Sequence, residues 1–242
     1  MVVLSRMIAA TVFGFCGVSR TFCQTRCLLH TCVQMPSLTA EQVGHRYGSL
    51  LLFRRLSFTV EEGESVAVTG ANGAGKSTLL RILAGVLDPK AGTVSLRAEG
   101  EKMPPAAHSQ NVGLVAPYLG LYETLTAREN LAFLAQARRL SDADRRIATV
   151  LDRVGLASRA DDPVSDFSSG MQHRAKYAAA LLAEPLLLLL DEPSVMLDAA
   201  GRDLVESIVS RQRDRGGLVV VATNRPDEAA RHDRSLRIED HR

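Results

Sequence analysis

From Met35 onward, short apolar runs alternate with longer segments in which apolar residues recur at steps of three and four. Short apolar runs between turn residues predict β-strands, whereas the three- and four-residue steps predict amphipathic helices. Alternation of the two kinds of element indicates an α/β layer architecture. The predicted strands are two edge strands joined by a turn at Gly48, "LTAEQVGHRYG" and "LLFRRLSFTVEEG", followed by "SVAVTG", "GTVSLRAE", "LLLLLD", "LVVVATN" and the closing "RSLRIED".

The predicted helices follow or separate these strands. "KSTLLRILAGVL" comes directly after "SVAVTG", and we expect it to stop at Asp88-Pro89 because proline cannot continue a helix. "TARENLAFLAQARRL" and "SDADRRIATVLDRVGL" indicate a helical lobe inserted between the halves of the sheet, at about residues 120–180. "AAGRDLVESIVSRQRDRGG" predicts a further helix, and the Pro-rich stretch at 100–110 predicts a loop.

The run of five leucines at 186–190 has two possible interpretations. A membrane-spanning helix needs about 20 apolar residues, and Glu184 and Pro185 interrupt the sequence just before this run. A strand of a mostly parallel sheet is apolar on both faces and reads as a continuous apolar run. We therefore predict a central, buried strand that ends at Asp191.

Composition and charge narrow the classes of partner. The chain has 242 residues, of which 46% are hydrophobic and 23% charged, as in ordinary globular proteins. Its formal net charge is +2, but residues 1–34 contain three arginines and no acid, which leaves −1 for the rest. A body so near neutrality has no electrostatic footprint for nucleic acid, and few aromatics are available to stack on bases. We expect no nucleic-acid partner.

The first 34 residues differ from the rest of the chain. All four cysteines lie there, and their spacing is not a regular zinc pattern. "MIAATVFGFCGV" resembles the apolar region of a signal peptide and is too short to span a bilayer comfortably. We interpret residues 1–34 as a non-native or disordered extension and residues 35–242 as one domain; a membrane-touching tail and a cleaved signal are the alternatives. The cysteines are Cys16, Cys23, Cys27 and Cys32.

A glycine-rich loop follows the strand "SVAVTG" and precedes a helix. The sequence "GANGAGKST" fits the pattern G-x-x-x-x-G-K-[ST] in the strand–loop–helix context that a phosphate-binding loop requires. Its glycines let backbone N–H groups turn inward, its lysine places a charge on the β- and γ-phosphates, and Ser77 offers a hydroxyl to Mg²⁺. The predicted nucleotide-binding residues of this loop are Gly70, Ala71, Asn72, Gly73, Ala74, Gly75, Lys76, Ser77 and Thr78.

Two carboxylates end the leucine strand. Asp191 should emerge at the carboxyl edge of the sheet beside the glycine loop, where it suits a direct or indirect contact with Mg²⁺. Glu192 follows it and can face the terminal phosphate, where it could orient or deprotonate a water molecule. An acidic turn or helix cap is the structural alternative.

A second anion site is indicated by "FSSGMQHR", Phe167 to Arg174. Two serines and a glycine precede a run that favours a helix, and the first turn of a helix offers unpaired N–H groups with partial positive charge. One chain therefore carries two predicted phosphate sites some ninety residues apart.

The glycine loop, "FSSGMQHR" and "LLLLLDEPSVMLD" occur in the order found in the ATP-binding cassette (ABC) ATPases, and the chain from about Met35 to Ile238 resembles that family. The resemblance implies a P-loop NTPase core with an antiparallel β edge subdomain and an inserted helical subdomain. The family's signature motif is Leu-Ser-Gly-Gly-Gln, and Phe167 to Met171 occupy its places. The resemblance also implies that two cassettes pair head to tail, so that the signature helix of one closes over the ATP of the other. By resemblance, Ser168, Ser169 and Gly170 contact the partner's nucleotide, Tyr47 stacks on adenine, and Asp198 lies on the loop that crosses the interface.

The chain departs from the family at two places. The family usually has a glutamine between the core and the helical lobe, where it meets Mg²⁺ and the membrane subunit; here Tyr118, or Pro117, stands at that place. The family also has a histidine after the last core strand, where it senses the γ-phosphate. By resemblance Asn224 takes that catalytic place here; its amide can donate a hydrogen bond but cannot become a cation. We predict slower turnover than with the usual histidine, without loss of ATP binding.

The resemblance implies an ATPase that uses ATP and Mg²⁺. One cassette with no predicted membrane span after Met35 would need integral membrane permease subunits and a second ATPase subunit, in a homo- or heterodimer. We expect a peripheral protein on the cytoplasmic face of the inner membrane. The short body also resembles the haem-exporter ATPases of cytochrome c maturation. The alternative is a soluble, non-transport ATPase of the family, such as a scaffold subunit for iron–sulfur assembly.

Overall fold

The computed structural model describes residues 35–195 and 197–242. The predicted extension at 1–34 and its four cysteines therefore lie outside the described residues. Within them, two sheets and several helices form the fold. The strands are β1 (Ser37–Tyr47), β2 (Leu50–Glu61), β3 (Ser65–Thr69), β4 (Ala91–Ala98), β5 (Glu101–Lys102), β6 (Val112–Val115), β7 (Leu187–Asp191), β8 (Leu218–Thr223) and β9 (Arg234–Arg237).

The helices lie between the strands, and the two short ones at Pro105–Gln110 and Pro226–Ala229 were not predicted from the sequence. Three short 3₁₀ segments, Ala157–Arg159, Val164–Asp166 and Ile238–His241, complete the chain. The α-helices are α1 (Lys76–Leu83), α2 (Pro105–Gln110), α3 (Ala127–Ala137), α4 (Ala143–Arg153), α5 (Ser169–Leu181), α6 (Ala199–Asp214) and α7 (Pro226–Ala229).

One sheet is antiparallel and has the strand order β2-β1-β4-β5. Its first two strands form the hairpin predicted from the turn at Gly48, with Ser37 opposite Glu61 and Tyr47 opposite Leu50. Gly48 has a φ of 57°, which glycine adopts without steric cost. Tyr47 therefore lies at the tip of the hairpin, where its side chain is exposed.

The second sheet is parallel, with the order β6-β7-β8-β3-β9. The leucine strand β7 is buried along its length, and its side chains alternate between two apolar clusters on opposite faces of the sheet. In the register of the sheet, Asp191 lies beside Ala222 and Thr69 beside Thr223. The segments that follow β3, β7 and β8 therefore start from the same edge.

The inserted segment between β6 and β7 is helical. Helix α3 begins at a capping box in which Thr126 and Glu129 exchange side-chain and backbone hydrogen bonds, an arrangement that satisfies N–H groups of the first turn. Helices α3, α4 and α5 pack together and share one apolar cluster with a face of β7 and β8. Among the helices of the described residues, none combines the length and apolar character that a membrane crossing requires.

Two local predictions were wrong. Helix α1 ends at Leu83, before Asp88-Pro89, because Gly85 adopts a φ of 71° and the N–H groups of Gly85 and Val86 turn back to the carbonyls of Ile82 and Arg81. The stretch at 100–110 is not only a loop: it contains β5 and α2. Helix α2 has a proline in its first turn, where the missing N–H costs no helix hydrogen bond.

Candidate functional site

The glycine-rich loop connects β3 to α1 at the carboxyl edge of the parallel sheet. Three of its residues have positive φ: Gly70 at 154°, Gly73 at 78° and Gly75 at 108°. A Cβ on Gly75 would also lie 3.2 Å from Leu52 and Phe53 of the hairpin, so the loop is packed closely as well as sharply turned. This backbone curls as a phosphate-binding loop must, with helix α1 starting directly after it.

Lys76 is the first residue of α1, directly after the loop, and is 5% exposed. Its ammonium donates to the carbonyl oxygens of Gly70 at 2.8 Å and Ala71 at 3.3 Å, and it lies 3.2 Å from Oε1 of Glu192. The lysine therefore joins the loop to the end of β7. The sequence predicted that both residues belong to one site, and the structure brings them into contact.

Asp191 and Ser77 provide a place for a divalent cation. Asp191 is 3% exposed, and its Oδ1 has no hydrogen-bond partner among the described residues. Burial raises the pKa of the Asp191 carboxyl, while the nearby Ser77 hydroxyl and Lys76 ammonium act in the opposite direction. A hydroxyl and one carboxylate suit Mg²⁺, which keeps most of its coordination for waters and substrate phosphates.

Glu192 and Asn224 meet at the same edge. Glu192 has a φ of 49°, and its N–H donates to the carbonyl of Ala222 at 2.8 Å. Its Oε2 accepts a hydrogen bond from the backbone N–H of Asn224 at 3.4 Å. The Asn224 amide donates to Oδ1 of Asn72 in the glycine loop at 3.0 Å. Both predicted catalytic residues therefore contact the glycine loop or its lysine.

Sequence reasoning missed Glu239, which lies against the loop. Its Oε1 accepts a hydrogen bond from the N–H of Ala71 at 2.6 Å, and this bond lowers the pKa of the Glu239 carboxyl. A Cβ at Gly70 would lie 2.8 Å from Glu239 and from Ile238. The two segments are far apart in the chain, and the only sequence signal is a glutamate after the strand "RSLRI".

Tyr47 and Tyr118 are both exposed, and both contact Arg81 of α1, the helix that follows the glycine loop. The Arg81 guanidinium lies 4.1 Å from the centre of the Tyr118 ring, a cation–π contact. Contact with the Tyr118 and Tyr47 hydroxyls raises the pKa of Arg81. Tyr47 also packs edge-on against His45, with ring centres 4.9 Å apart. Arg81 was not predicted as a site residue.

The signature residues lie at a helix N-terminus. The Ser168 hydroxyl caps α5 by accepting the N–H of Met171 at 3.3 Å, and Ser168 and Ser169 are exposed. A Cβ at Gly170 would meet no atom within 4 Å. Asp198 caps α6 by accepting the N–H of Gly201 at 2.7 Å. The hydrogen bonds that these residues make among the described residues are local to their own helices and do not reach the glycine loop.

A groove of about 670 Å³ lies between the core and the inserted helices. Its wall is mostly apolar and includes the exposed side chains of Leu119, Tyr122 and Phe133. The charged residues that line it are Arg138 and Lys176, both cationic. Burial lowers the pKa of each, as expected for cations held at the edge of an apolar surface.

Comparisons with known proteins show which family the chain resembles. A sequence profile of the family described as "ABC transporter" matches residues 53–195. The linearmycin resistance ATP-binding protein LnrL of Bacillus subtilis is 35% identical over 193 residues, which are 79% of this chain and 62% of LnrL. The chain thus spans less than two thirds of the length of LnrL.

A second curated relative and a solved structure are matched over most of their length. The cytochrome c biogenesis ATP-binding export protein CcmA of Vibrio parahaemolyticus is 36% identical over 174 residues, which are 72% of this chain and 85% of CcmA. The structure of an ATP-binding subunit of an ABC transporter superposes with a TM-score of 0.72 at 29% identity, covering 81% of this chain and 82% of that one. The α/β fold predicted from the sequence is confirmed.

Proposed function

The chain belongs to the ABC transporter family, and from this premise we propose that it binds and hydrolyses ATP to power a separate membrane permease. The observation that carries the proposal is the contact of Lys76 with Glu192 at the edge where Asp191 and Asn224 also lie. One site then combines Lys76 to bind phosphates, Asp191 to hold a metal ion and Glu192 to orient a water molecule.

Binding of the triphosphate rests on the glycine loop. Backbone N–H groups of the loop and of the first turn of α1 surround the phosphate oxygens, and Lys76 neutralises part of their charge. To do so, the Lys76 ammonium exchanges the carbonyls of Gly70 and Ala71 for phosphate oxygens. The same exchange frees the Glu192 carboxylate from its ion pair.

Hydrolysis uses the residues beyond β7. Glu192 orients a water molecule and accepts its proton as the water attacks the γ-phosphate, and ADP and inorganic phosphate leave. Ser77 and Asp191 would hold Mg²⁺, which supplies positive charge to the phosphate oxygens. Asn224 positions the Glu192 carboxylate through its backbone N–H and offers its side-chain amide toward the terminal phosphate. Tyr118 would offer at most one hydroxyl to the metal.

A second ATPase subunit completes the site, in a homo- or heterodimer. Ser168, Ser169 and Gly170 are accessible at the start of α5, and small residues at a helix N-terminus allow backbone N–H groups to reach an anion. We therefore propose that they contact the γ-phosphate held by the partner subunit. Asp198 lies at the interface, and Tyr47 stacks on adenine. The chain's two anion sites then belong to two different nucleotides.

The membrane partner binds in the groove between the core and the inserted helices. Its apolar wall suits a short amphipathic helix from a permease, and Arg138 and Lys176 favour an acidic residue on that helix. Closure of two cassettes around ATP would move the inserted helices and hence the bound permease segment. We therefore propose that the protein is peripheral, at the cytoplasmic face of the inner membrane.

The cargo class is proposed from the relatives. The match covers 85% of the cytochrome c biogenesis export protein but only 62% of the linearmycin resistance protein. Export in cytochrome c biogenesis, with haem as the candidate cargo, is therefore our leading proposal. The non-transport alternative, an iron–sulfur assembly subunit, is not favoured, because the matched relatives are named as export or resistance proteins.

Co-purification tests the proposal. The tagged chain is isolated from detergent-solubilised membranes, and integral proteins bound to it are identified, with the Glu192→Gln variant used to hold the ATP-bound assembly. We expect one or two polytopic subunits and loss of c-type cytochromes in a deletion strain. A soluble complex without integral proteins would contradict the transport proposal, and normal cytochromes would contradict the cargo.

A further inference from the structure

Glu228 is a buried carboxylate that the mechanism above does not use. It lies on α7, directly after the loop that carries Asn224, and is 8% exposed. Its Oε2 accepts a hydrogen bond from the Thr223 hydroxyl at 2.5 Å, and its Oε1 accepts one from the Ser194 hydroxyl. Both carboxylate oxygens are therefore used, each by a hydroxyl from a different segment.

The two hydroxyls belong to the segments that carry the proposed catalytic residues. Thr223 ends β8, is fully buried and directly precedes Asn224. Its hydroxyl also accepts the N–H of Arg225 at 3.1 Å, which fixes the backbone on the other side of Asn224. Ser194 lies two residues after Glu192, on the turn that leaves β7. Glu228 thus links the segment of Glu192 to that of Asn224.

A third contact extends this link to the signature helix. The hydroxyl of Tyr177 donates to the carbonyl of Pro193 at 3.2 Å. Tyr177 is 1% exposed and lies on α5, which Ser168 caps and whose first turn carries Gly170. The Glu192 turn is therefore fixed from two sides: by Glu228 through Ser194, and by α5 through Tyr177.

We propose that Glu228 is a positioning residue for ATP hydrolysis, holding the turn after Glu192 and the loop of Asn224 in one arrangement. A buried carboxylate with both oxygens hydrogen-bonded fixes the positions of the two hydroxyl groups, because a buried hydroxyl that loses its partner costs free energy. Glu192 must hold a water molecule at the γ-phosphate, and small displacements of a catalytic group lower turnover strongly. The inference rests on the catalytic role proposed for Glu192.

This role differs from a contribution to nucleotide binding. Glu228 makes no hydrogen bond to the glycine loop or to Lys76 among the described residues, and its contacts are confined to the Glu192 and Asn224 segments. Its removal should therefore lower kcat and leave the KM for ATP nearly unchanged. A purely structural role would instead show in thermal unfolding as a loss of folded protein, or would alter both parameters.

The test compares variants of the full chain in steady-state ATP hydrolysis, with thermal unfolding measured for each. For Glu228→Ala we expect kcat to fall by about 10- to 100-fold, with KM for ATP within about threefold of wild type. Glu228→Gln keeps one acceptor and should recover part of the loss. Glu101→Ala, at an exposed glutamate of β5, is the matched control and should behave as wild type.

Three further variants make the outcome decisive. Glu228→Ala removes the acceptor of two buried hydroxyls and could therefore prevent folding. Ser194→Ala and Tyr177→Phe each remove a single hydroxyl and replace it in the test if it does not fold. Each should lower kcat by a smaller factor at constant KM. Normal kcat in all folded variants, or a parallel loss of ATP binding, would overturn the inference. Glu192→Gln is measured alongside: if it alone retains normal turnover, the catalytic assignment fails first and the inference fails with it.

Discussion

The ammonium of Lys76 lies 3.2 Å from Oε1 of Glu192, so the phosphate-binding lysine and the proposed catalytic carboxylate are each other's ion-pair partner. Both side chains are mostly buried, at 6% and 17% exposed, which limits screening by solvent. Phosphate oxygens compete with Glu192 for the same ammonium. Nucleotide binding and release of the catalytic carboxylate are therefore coupled through one side chain.

Lys76→Ala is expected to weaken ATP binding and to lower hydrolysis by about 10²-fold or more, because the variant loses a charge-assisted contact with the β- and γ-phosphates. Nucleotide affinity measured by fluorescence titration and phosphate release checks both effects. Lys102→Ala removes an exposed lysine of β5 and serves as the control. Wild-type affinity in Lys76→Ala would contradict the assignment of the loop.

Glu192→Gln is expected to abolish hydrolysis while ATP binding is kept. Glutamine retains the shape of the side chain but cannot accept the proton of the water molecule, which should cost about 10²- to 10⁴-fold in turnover. With saturating ATP, size-exclusion chromatography with light scattering should show a dimer. A variant that stays monomeric, alone and with its native complex partners, would exclude the two-subunit site.

Asn224→His is expected to raise turnover several-fold. The imidazole can carry a positive charge near the terminal phosphate, whereas the amide cannot. Because histidine has an ordinary pKa of about 6.5, the gain should be larger at pH 6 than at pH 8. Asn224→His also removes the hydrogen bond between Asn224 and Asn72. Asn72→Ala removes that bond alone and so measures its separate effect on turnover. Unchanged turnover would mean that another group in the site already compensates for the missing histidine.

Asp191→Asn is expected to raise the stability of the fold at neutral pH and to lower the rate of ATP hydrolysis. Burial raises the pKa of Asp191 in the folded chain, so the ionised carboxylate opposes folding once the pH exceeds that value. At neutral pH the variant should unfold at a higher temperature than the wild type, because the buried charge is removed, while Mg²⁺-dependent hydrolysis falls. The stabilisation should vanish under acidic conditions, where wild-type Asp191 is protonated.

That outcome is checked by differential scanning calorimetry across the pH range, without added metal. Asp203→Asn changes a residue of α6 outside the site and controls for charge removal. If Asp191→Asn lowers the unfolding temperature at neutral pH, the carboxylate is stabilised by contacts stronger than its burial penalty.

Lys176→Glu should weaken binding of the membrane partner without changing the intrinsic ATPase activity. The substitution reverses one of the two cationic side chains that line the groove and would repel an acidic residue of a docked helix. Co-purification of integral subunits should fall at least several-fold. Arg145→Glu, an exposed site on α4, makes the same charge change elsewhere and should retain the partner.

Local sequence patterns determined most of the elements and the binding loop. The glycine spacing of the loop, the unbroken leucine strand and the Thr126 capping box each act over a few residues, where backbone geometry and burial leave few alternatives. The end of α1 was misplaced because Gly85 closes the helix before the proline is reached. Helix α2 was missed because its two prolines were taken only as loop signals.

Only the tertiary structure decided which segments far apart in sequence contact one another. The Lys76–Glu192 pair, the Glu239 contact with Ala71 and the Glu228 link arise because parallel strands bring their carboxyl ends to one edge. Hydrogen bonds and ion pairs act over a few ångströms in space, and no local spacing encodes them. The sequence therefore indicated which residues carry the chemistry of the site, while strand order and register determined which of their side chains are in contact.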